Sequence, residues 1–292
     1  MCDDLTAIEE EQALGARGID RRSFAALGAA SLATLAAPLG AKAAKTPPPP
    51  TEKMVQIQTT SGMLDAFFVH PKTGRWPAVI LWPDIAGLRE AYKVMARRLA
   101  ADGFAVLVLN QYYRSAPAPH FDAITQWRTP EGQAKLRPMI PLLTPEAIVL
   151  DSRAAAEWLD RQRPVHSGRG LGAAGYCMGG PFAVRSAFAY PARVRAAASF
   201  HGGSLMTDKP DSPHQLLKAT SASYLFAIAR NDDARAPGDK DALREAAKAA
   251  GRPAEVEVYP ADHGWCTVDS PVFDKVQADR AWERMLALFR TL

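Results

Sequence analysis

The chain has 292 residues, 48% of them hydrophobic and 23% charged, enough apolar chain to bury one sizeable core. Its formal charge of +4 comes from lysines and arginines scattered along the sequence, and nucleic-acid binding would need them clustered in a stripe. Three cysteines with no C-x-x-C, no His-x-x-x-His spacing and no dense carboxylate cluster imply neither a disulfide framework nor a metal site, and no cofactor is expected.

The first residues read as an address. Residues 1–20 are polar and acidic. Asp20-Arg21-Arg22-Ser23-Phe24 then opens a weakly apolar Ala/Gly/Leu stretch, which ends at a small-x-small site, Ala41-Lys42-Ala43. This is the pattern of a cleaved export signal, and the paired arginines point to the twin-arginine route and a periplasmic or secreted product. The stretch falls short of the about 20 strongly apolar residues that a spanning helix needs, so no permanent anchor is expected. Residues 1–43 are therefore read as signal, 44–52 as a stiff proline-rich spacer and 53–292 as one domain. Setting aside residues 1–43, with four basic and six acidic residues, takes the formal charge from +4 to +6.

From there the pattern alternates between strand and helix. Val55–Thr59 and Leu64–His70 read as an antiparallel pair, and Ala78–Trp82 and Ala105–Asn110 as short, continuously apolar strands of the buried parallel kind. Arg89–Ala101 between them reads as a helix with Met95 and Leu99 on one face. Residues 111–145 are proline-rich and aromatic, a loop insertion with a short helix near Pro130–Leu136. As a roof over a site it would offer Tyr112, Tyr113, Arg114, Phe121 and Trp127 as candidates to line it, although each aromatic taken singly reads as packing rather than ligand contact. A helix from Pro145 to Arg161, strand Leu171–Gly175, helix Gly180–Tyr190 and strands Val194–Phe200 and Tyr224–Ala229 follow. Helix Pro237–Ala250, strand Glu255–Tyr259 and helix Phe273–Thr291 complete the chain. Such alternation predicts an α/β fold, a mostly parallel doubly wound sheet with helices on both faces. Gly168, Gly170 and Gly172 have G-x-G spacing but precede their strand, so a dinucleotide loop fails on context.

Gly175-Tyr176-Cys177-Met178-Gly179 carries the chemistry. G-x-C-x-G between a strand and a helix is the nucleophile elbow of α/β-hydrolases with cysteine replacing serine. The helix that follows aims its free N–H groups at the sulfur and favours thiolate. The competing reading is a glycine-rich turn around an inert buried cysteine. Against it stand an acid and a histidine in the right chain order. Asp232 and Asp233 follow the strand ending at Ala229, and His263, in Asp262-His263-Gly264-Trp265, follows the strand ending at Tyr259. His201 competes with His263 on position, or is a packed structural histidine. Counting from the strand end favours Asp232 as the acid, whereas counting back from Pro237 favours Asp233. A bridge between Cys177 and Cys266 would be a resting or damaged state.

These words and their order resemble the dienelactone hydrolase family, together with Trp82-Pro83-Asp84-Ile85-Ala86-Gly87-Leu88-Arg89 and Leu109-Asn110-Gln111-Tyr112-Tyr113-Arg114. The resemblance implies an α/β-hydrolase fold with Cys177 as nucleophile, Asp232 or its neighbour as acid and His263 as base. It also implies an oxyanion hole made by the backbone N–H groups of Ile85 and Met178. Asp84 stands where the family has a glutamate that helps ionise the cysteine. Arg114, with Tyr112 beside it, matches a substrate-binding arginine, while Thr267 stands where a second arginine is usual. The expected substrate is a small ester or lactone, by resemblance an unsaturated lactone bearing a carboxylate, as arises in degradation of aromatic ring-cleavage products. A broad carboxylesterase or thioesterase of the same fold is the alternative, and a non-catalytic binding protein the remote one.

Overall fold

A computed structural model describes residues 49–292, so the expected export signal and most of the spacer lie outside the described residues. Eight strands form one sheet: β1 (Thr51–Thr59), β2 (Gly62–His70), β3 (Ala78–Trp82), β4 (Ala105–Leu109), β5 (Leu171–Tyr176), β6 (Val194–Phe200), β7 (Ser223–Ala229) and β8 (Ala254–Tyr259). Their spatial order is β1-β2-β4-β3-β5-β6-β7-β8. The β1–β2 and β2–β4 pairs are antiparallel, and every other pair is parallel. The central strands β3, β4 and β5 are buried at every position, as strands covered on both faces must be. Edge strand β1 alternates buried and exposed residues in its second half and is exposed from Thr51 to Met54.

The helices are α1 (Glu90–Ala101), α2 (Pro130–Leu136), α3 (Pro145–Asp160), α4 (Gly179–Ala189), α5 (Pro213–Leu216), α6 (Arg230–Arg235), α7 (Asp239–Ala249) and α8 (Lys275–Phe289). Two apolar cores, one per sheet face, hold them. Ile148 and Leu159 of α3, Val184 of α4 and Leu243 of α7 pack on one face. Tyr92 and Leu99 of α1, with Met285 and Phe289 of α8, pack on the other. Helices α2 and α3 both start at a proline preceded by a threonine, Thr129 or Thr144, whose hydroxyl accepts a backbone N–H of the first turn. No helix among the described residues is long and apolar enough to cross a membrane.

The insertion after β4 builds a third, smaller core. Tyr112, Phe121, Ile124, Trp127, Leu136 and Met139 pack there around Ile85 and Ala86, with Met178 against it. Tyr112, Phe121 and Trp127, candidates for lining the site that taken singly read as packing, are buried in this core. What the insertion contributes to the cleft is Ile140 and Leu143.

Candidate active site

The elbow forms because strand β5 must turn into α4 with almost no room. A Cβ at Gly175 would fall 1.8 Å from the carbonyl oxygen of Gly179, and one at Gly179 would fall 2.5 Å from that of Trp82. Cys177, between them, has φ of 53°, a left-handed conformation that a non-glycine residue adopts at a cost of about 1–3 kcal/mol. Its N–H bonds the carbonyl of Phe200 at 3.0 Å, and its own carbonyl accepts the N–H of Gly180 at 3.0 Å. These bonds keep the turn strained and set the sulfur at the start of α4.

His263 arrives from the loop after β8. Its N–H donates to Asn231 Oδ1 at 2.9 Å, and the N–H of Arg230 donates to the carbonyl of Ala261 at 3.0 Å, so the loops after β7 and β8 are tied together. The ring Nδ1 meets Asp232 Oδ2 at 2.8 Å. A carboxylate only accepts, so Nδ1 carries the hydrogen of this bond. Burial works against the charge of Asp232, but the neighbouring His263 and the hydrogen bond it donates outweigh it and hold the carboxyl below its ordinary range. Asp232 also pairs with Arg235, and Asp233 pairs with Lys240 Nζ at 2.7 Å. The ligating atoms of Cys177, His201 and His263 all lie within 4.8 Å of one another.

His201, weighed from the sequence as a rival to His263 or as a packed structural histidine, is buried beside His263. It follows β6 with φ of 39°, fully buried, its ring edge-on to His263 at 4.6 Å between centroids and to Trp265 at 5.2 Å. Burial, reinforced by the neighbouring His263, pushes its proton affinity far below that of an ordinary histidine. The signal was its position just beyond a parallel strand, the same edge that carries Cys177 and His263.

Tyr112 donates its hydroxyl to the carbonyl of Ile85 at 2.8 Å and so shapes the loop after β3. Among the described residues no acceptor is found for the N–H of Ile85 or of Met178. Asp84, Arg114 and Cys266, also weighed from the sequence, have other partners or none in the cleft. Both oxygens of Asp84 are taken by Arg89, at 2.7 and 2.9 Å, and Oδ1 also accepts the N–H of Ala86. Asp84 is thereby committed to its own loop. Arg114 spends its guanidinium on Asp151 of α3, with both nitrogens at 2.8 Å, and stacks on the Tyr113 ring at 4.6 Å, outside the cleft lining. Cys266 is a free thiol, fully buried and raised in pKa by that burial, so the Cys177–Cys266 bridge is not formed.

A cleft of about 460 Å³ opens beside His263 and Met178. Its walls are apolar: Ile140, Leu143, Phe182, Leu205, Ile228 and Leu243. Its two cations, Arg235 and Lys240, are each paired with an aspartate, and Asp239 adds another carboxylate.

A mostly parallel sheet wrapped by helices, with a cysteine on a strained strand-to-helix elbow and a carboxylate-bound histidine above it, defines an α/β-hydrolase. More narrowly, the chain belongs to the dienelactone hydrolase family, whose model matches residues 64–292. A protein of Escherichia coli strain K12 assigned as a carboxymethylenebutenolidase is 25% identical over 266 residues, covering 88% of this chain and 94% of that one. A Bradyrhizobium protein assigned as a 2-oxo-3-(5-oxofuran-2-ylidene)propanoate lactonase is 30% identical over 192 residues, 64% of this chain and 68% of that one. Among solved structures, a protein of Klebsiella pneumoniae assigned as a dienelactone hydrolase superposes with a TM-score of 0.71. It is 24% identical, and the match covers 83% of this chain and 99% of that one.

Proposed function

We propose that this hydrolase cleaves carboxylic ester or lactone bonds through Cys177, with His263 as base and Asp232 as the acid that orients it. The observation that carries the reading is the bond from Asp232 to His263 beside an elbow cysteine. In the first step the Cys177 proton passes to His263 Nε2 and the sulfur attacks the carbonyl carbon. The oxyanion is received by the N–H groups of Ile85 and Met178, each such donor contributing about 3–4 kcal/mol of barrier lowering. The C–O bond then breaks, the leaving oxygen takes the proton from His263 and a thioester remains. Water, deprotonated by His263, attacks the thioester, and the carboxylic acid leaves with Cys177 restored. An enolate leaving group, as in an unsaturated lactone, suits a sulfur nucleophile better than a simple alkoxide does.

The lining of the cleft favours the broad esterase over the carboxylated lactone. A carboxylate entering it meets apolar walls and cations that already have partners, with Arg114 held elsewhere by Asp151. Reduced protein assayed side by side on a dienelactone and on p-nitrophenyl esters of rising acyl length tests both statements. Turnover of any of these lost in Cys177→Ala supports the nucleophile, and full activity in that variant overturns it. Higher kcat/KM on neutral apolar esters supports the second statement. Arg114→Ala should then lower activity on both substrate types alike, whereas a loss confined to the carboxylated lactone would restore Arg114 to the substrate.

Export remains part of the proposal on sequence grounds alone. Replacing Arg21 and Arg22 by lysine should leave unprocessed protein in the cytoplasm, and normal processing of that variant would remove the twin-arginine route.

A further inference from the structure

We propose that His201 is a positioning residue, whose ring fixes the tilt at which His263 faces the elbow. This role rests on hydrolysis through Cys177 and His263. The torsion that turns an imidazole about its bond to Cβ has broad minima, so the covalent chain alone does not orient a histidine ring. Its surroundings must do so. One anchor of His263 is the bond from Nδ1 to Asp232 Oδ2 at 2.8 Å, which pins a single ring atom and leaves the ring to swing about that point. Asp232 is itself a yielding anchor, with a fifth of its side chain exposed and its carboxylate shared with Arg235. The second anchor is His201, edge-on to His263 at 4.6 Å between centroids, near the short end of the range of about 4.5–7 Å for aromatic pairs.

That second anchor is rigid. The backbone N–H of His201 donates to the carbonyl of Ala227 at 2.7 Å, and its ring is wedged between Trp265 at 5.2 Å and Tyr176 at 6.2 Å. Each of these is stacked on a further ring, Trp265 on Tyr259 at 5.2 Å and Tyr176 on Phe200 at 4.8 Å, so β5, β6 and β8 all brace the wedge. Neither ring nitrogen of His201 has a hydrogen-bond partner among the described residues, so what the side chain gives its neighbours is the ring itself. A buried imidazole without partners, on a backbone with φ of 39°, costs stability, and such costs gather at functional sites. His201 does not line the cleft, so it reaches a substrate only through His263.

Hydrolysis asks His263 to take a proton from Cys177 and hand it to the leaving oxygen, and each transfer needs the ring within hydrogen-bond reach. A displacement of about 1 Å can cost such a step about 10²-fold. No bond to His201 forms or breaks in either transfer.

The test is steady-state kinetics of the reduced full chain on a p-nitrophenyl ester. His201→Asn removes the ring and suits the left-handed backbone. It should lower kcat by about 10–100-fold and keep KM within about twofold, because the cleft lining is untouched. His201→Phe restores an aromatic wall without the nitrogens and should bring kcat back to within about fivefold of the wild type. The proton between His263 and Asp232, followed by its low-field resonance, should exchange with water faster in His201→Asn than in His201→Phe. Unchanged kcat in folded His201→Asn, equal exchange in the two variants, or a His201→Phe enzyme as slow as His201→Asn overturns the positioning role. If the His201 variants do not fold, Trp265→Phe decides. Trimming the ring behind His201 should lower kcat about three- to tenfold with KM held, and unchanged kcat overturns the proposal. Cys177→Ala is measured beside them. Full activity there overturns the hydrolytic reading and the role of His201 with it, whereas loss there with unchanged kcat in His201→Asn overturns the role of His201 alone.

Discussion

Two carboxylates stand just beyond strand ends on the same edge of the sheet, and they are held in opposite ways. Asp84, after β3, is fully buried with both oxygens on Arg89, which also donates Nε and the shared Nη2 to Asp269, each at 2.7 Å. A guanidinium does not give up its proton, so this corner fixes the shape of two loops and exchanges nothing. Asp232, after β7, binds an imidazole, which unlike a guanidinium is a group that can exchange its proton. Behind that imidazole lies a second one with both nitrogens unsatisfied. One corner is saturated by fixed charges, and the other is left under-satisfied beside the cysteine of the proposed reaction.

Breaking the second corner should cost the most. Asp232→Asn keeps the side chain's shape but offers Nδ1 the wrong partner, so the lone pair no longer faces sulfur. By analogy with serine-hydrolase triads, kcat should fall about 10³–10⁴-fold with little change in the urea midpoint. A loss below tenfold on a substrate limited by chemistry would remove Asp232 from the triad.

The first corner should respond in stability instead. Arg89→Met leaves Asp84 buried beside an apolar chain and frees Asp269, a change of the kind that costs about 3–5 kcal/mol. Urea unfolding measures it. If Asp84 acted on the cysteine, release from Arg89 would raise turnover per folded molecule. A rise would return Asp84 to the role the sequence resemblance suggested.

Much of the fold was legible in the sequence because its signals are local. Strand Ala78–Trp82 is a continuous apolar run, Val194–Phe200 is apolar apart from Arg195 and Ser199, and Pro130–Leu136 starts at Thr-Pro, so their limits agree residue for residue. The short α6 was missed because Arg-Asn-Asp-Asp-Ala-Arg has no apolar face to give it a period. The first residues of β1 were missed because they are exposed and polar. In the site, chain order pointed to Cys177 and His263. The partners of Asp84 and Arg114 were not legible because they depend on long-range pairs, Asp269 lying 180 residues from Arg89 and Asp151 lying 37 from Arg114. Side-chain pairing over such separations leaves no periodic mark on the sequence.

A subtler contrast separates the corners by pH. His201 faces His263, Asp232, Cys177 and the Tyr176 ring, and its proton affinity is far below that of an unfolded histidine, about 6.5. Below that pH the unfolded chain takes up a proton that the folded chain refuses, so stability falls as pH falls, by up to about 1.4 kcal/mol per unit. Above about pH 7 the residue contributes no slope. Urea midpoints from about pH 8 to about pH 5 should therefore fall more steeply in the wild type than in His201→Asn. His120, also lowered by burial, contributes equally to both. Parallel profiles would mean that His201 is protonated within the fold.

The smallest effect should come from the neighbour of the acid. Asp232 and Asp233 are consecutive on α6, and consecutive helical residues point about 100° apart, so one turn can send the first to His263 and the second to Lys240 of α7. The Asp233–Lys240 pair keeps roughly a quarter of each side chain in contact with solvent, where water and salt screen the attraction. Pairs of this kind contribute about 0–1 kcal/mol. Asp233→Asn should thus shift the urea midpoint slightly, the shift fading as salt is added, and leave kcat within a few fold of the wild type. It also leaves Lys240 at the cleft without its carboxylate, so KM for an anionic ester should drop relative to that for a neutral one. If Asp233→Asn instead damages kcat more than Asp232→Asn does, the helix turns the other way in solution and the loop spacing counted from Pro237 is the correct guide to the acid.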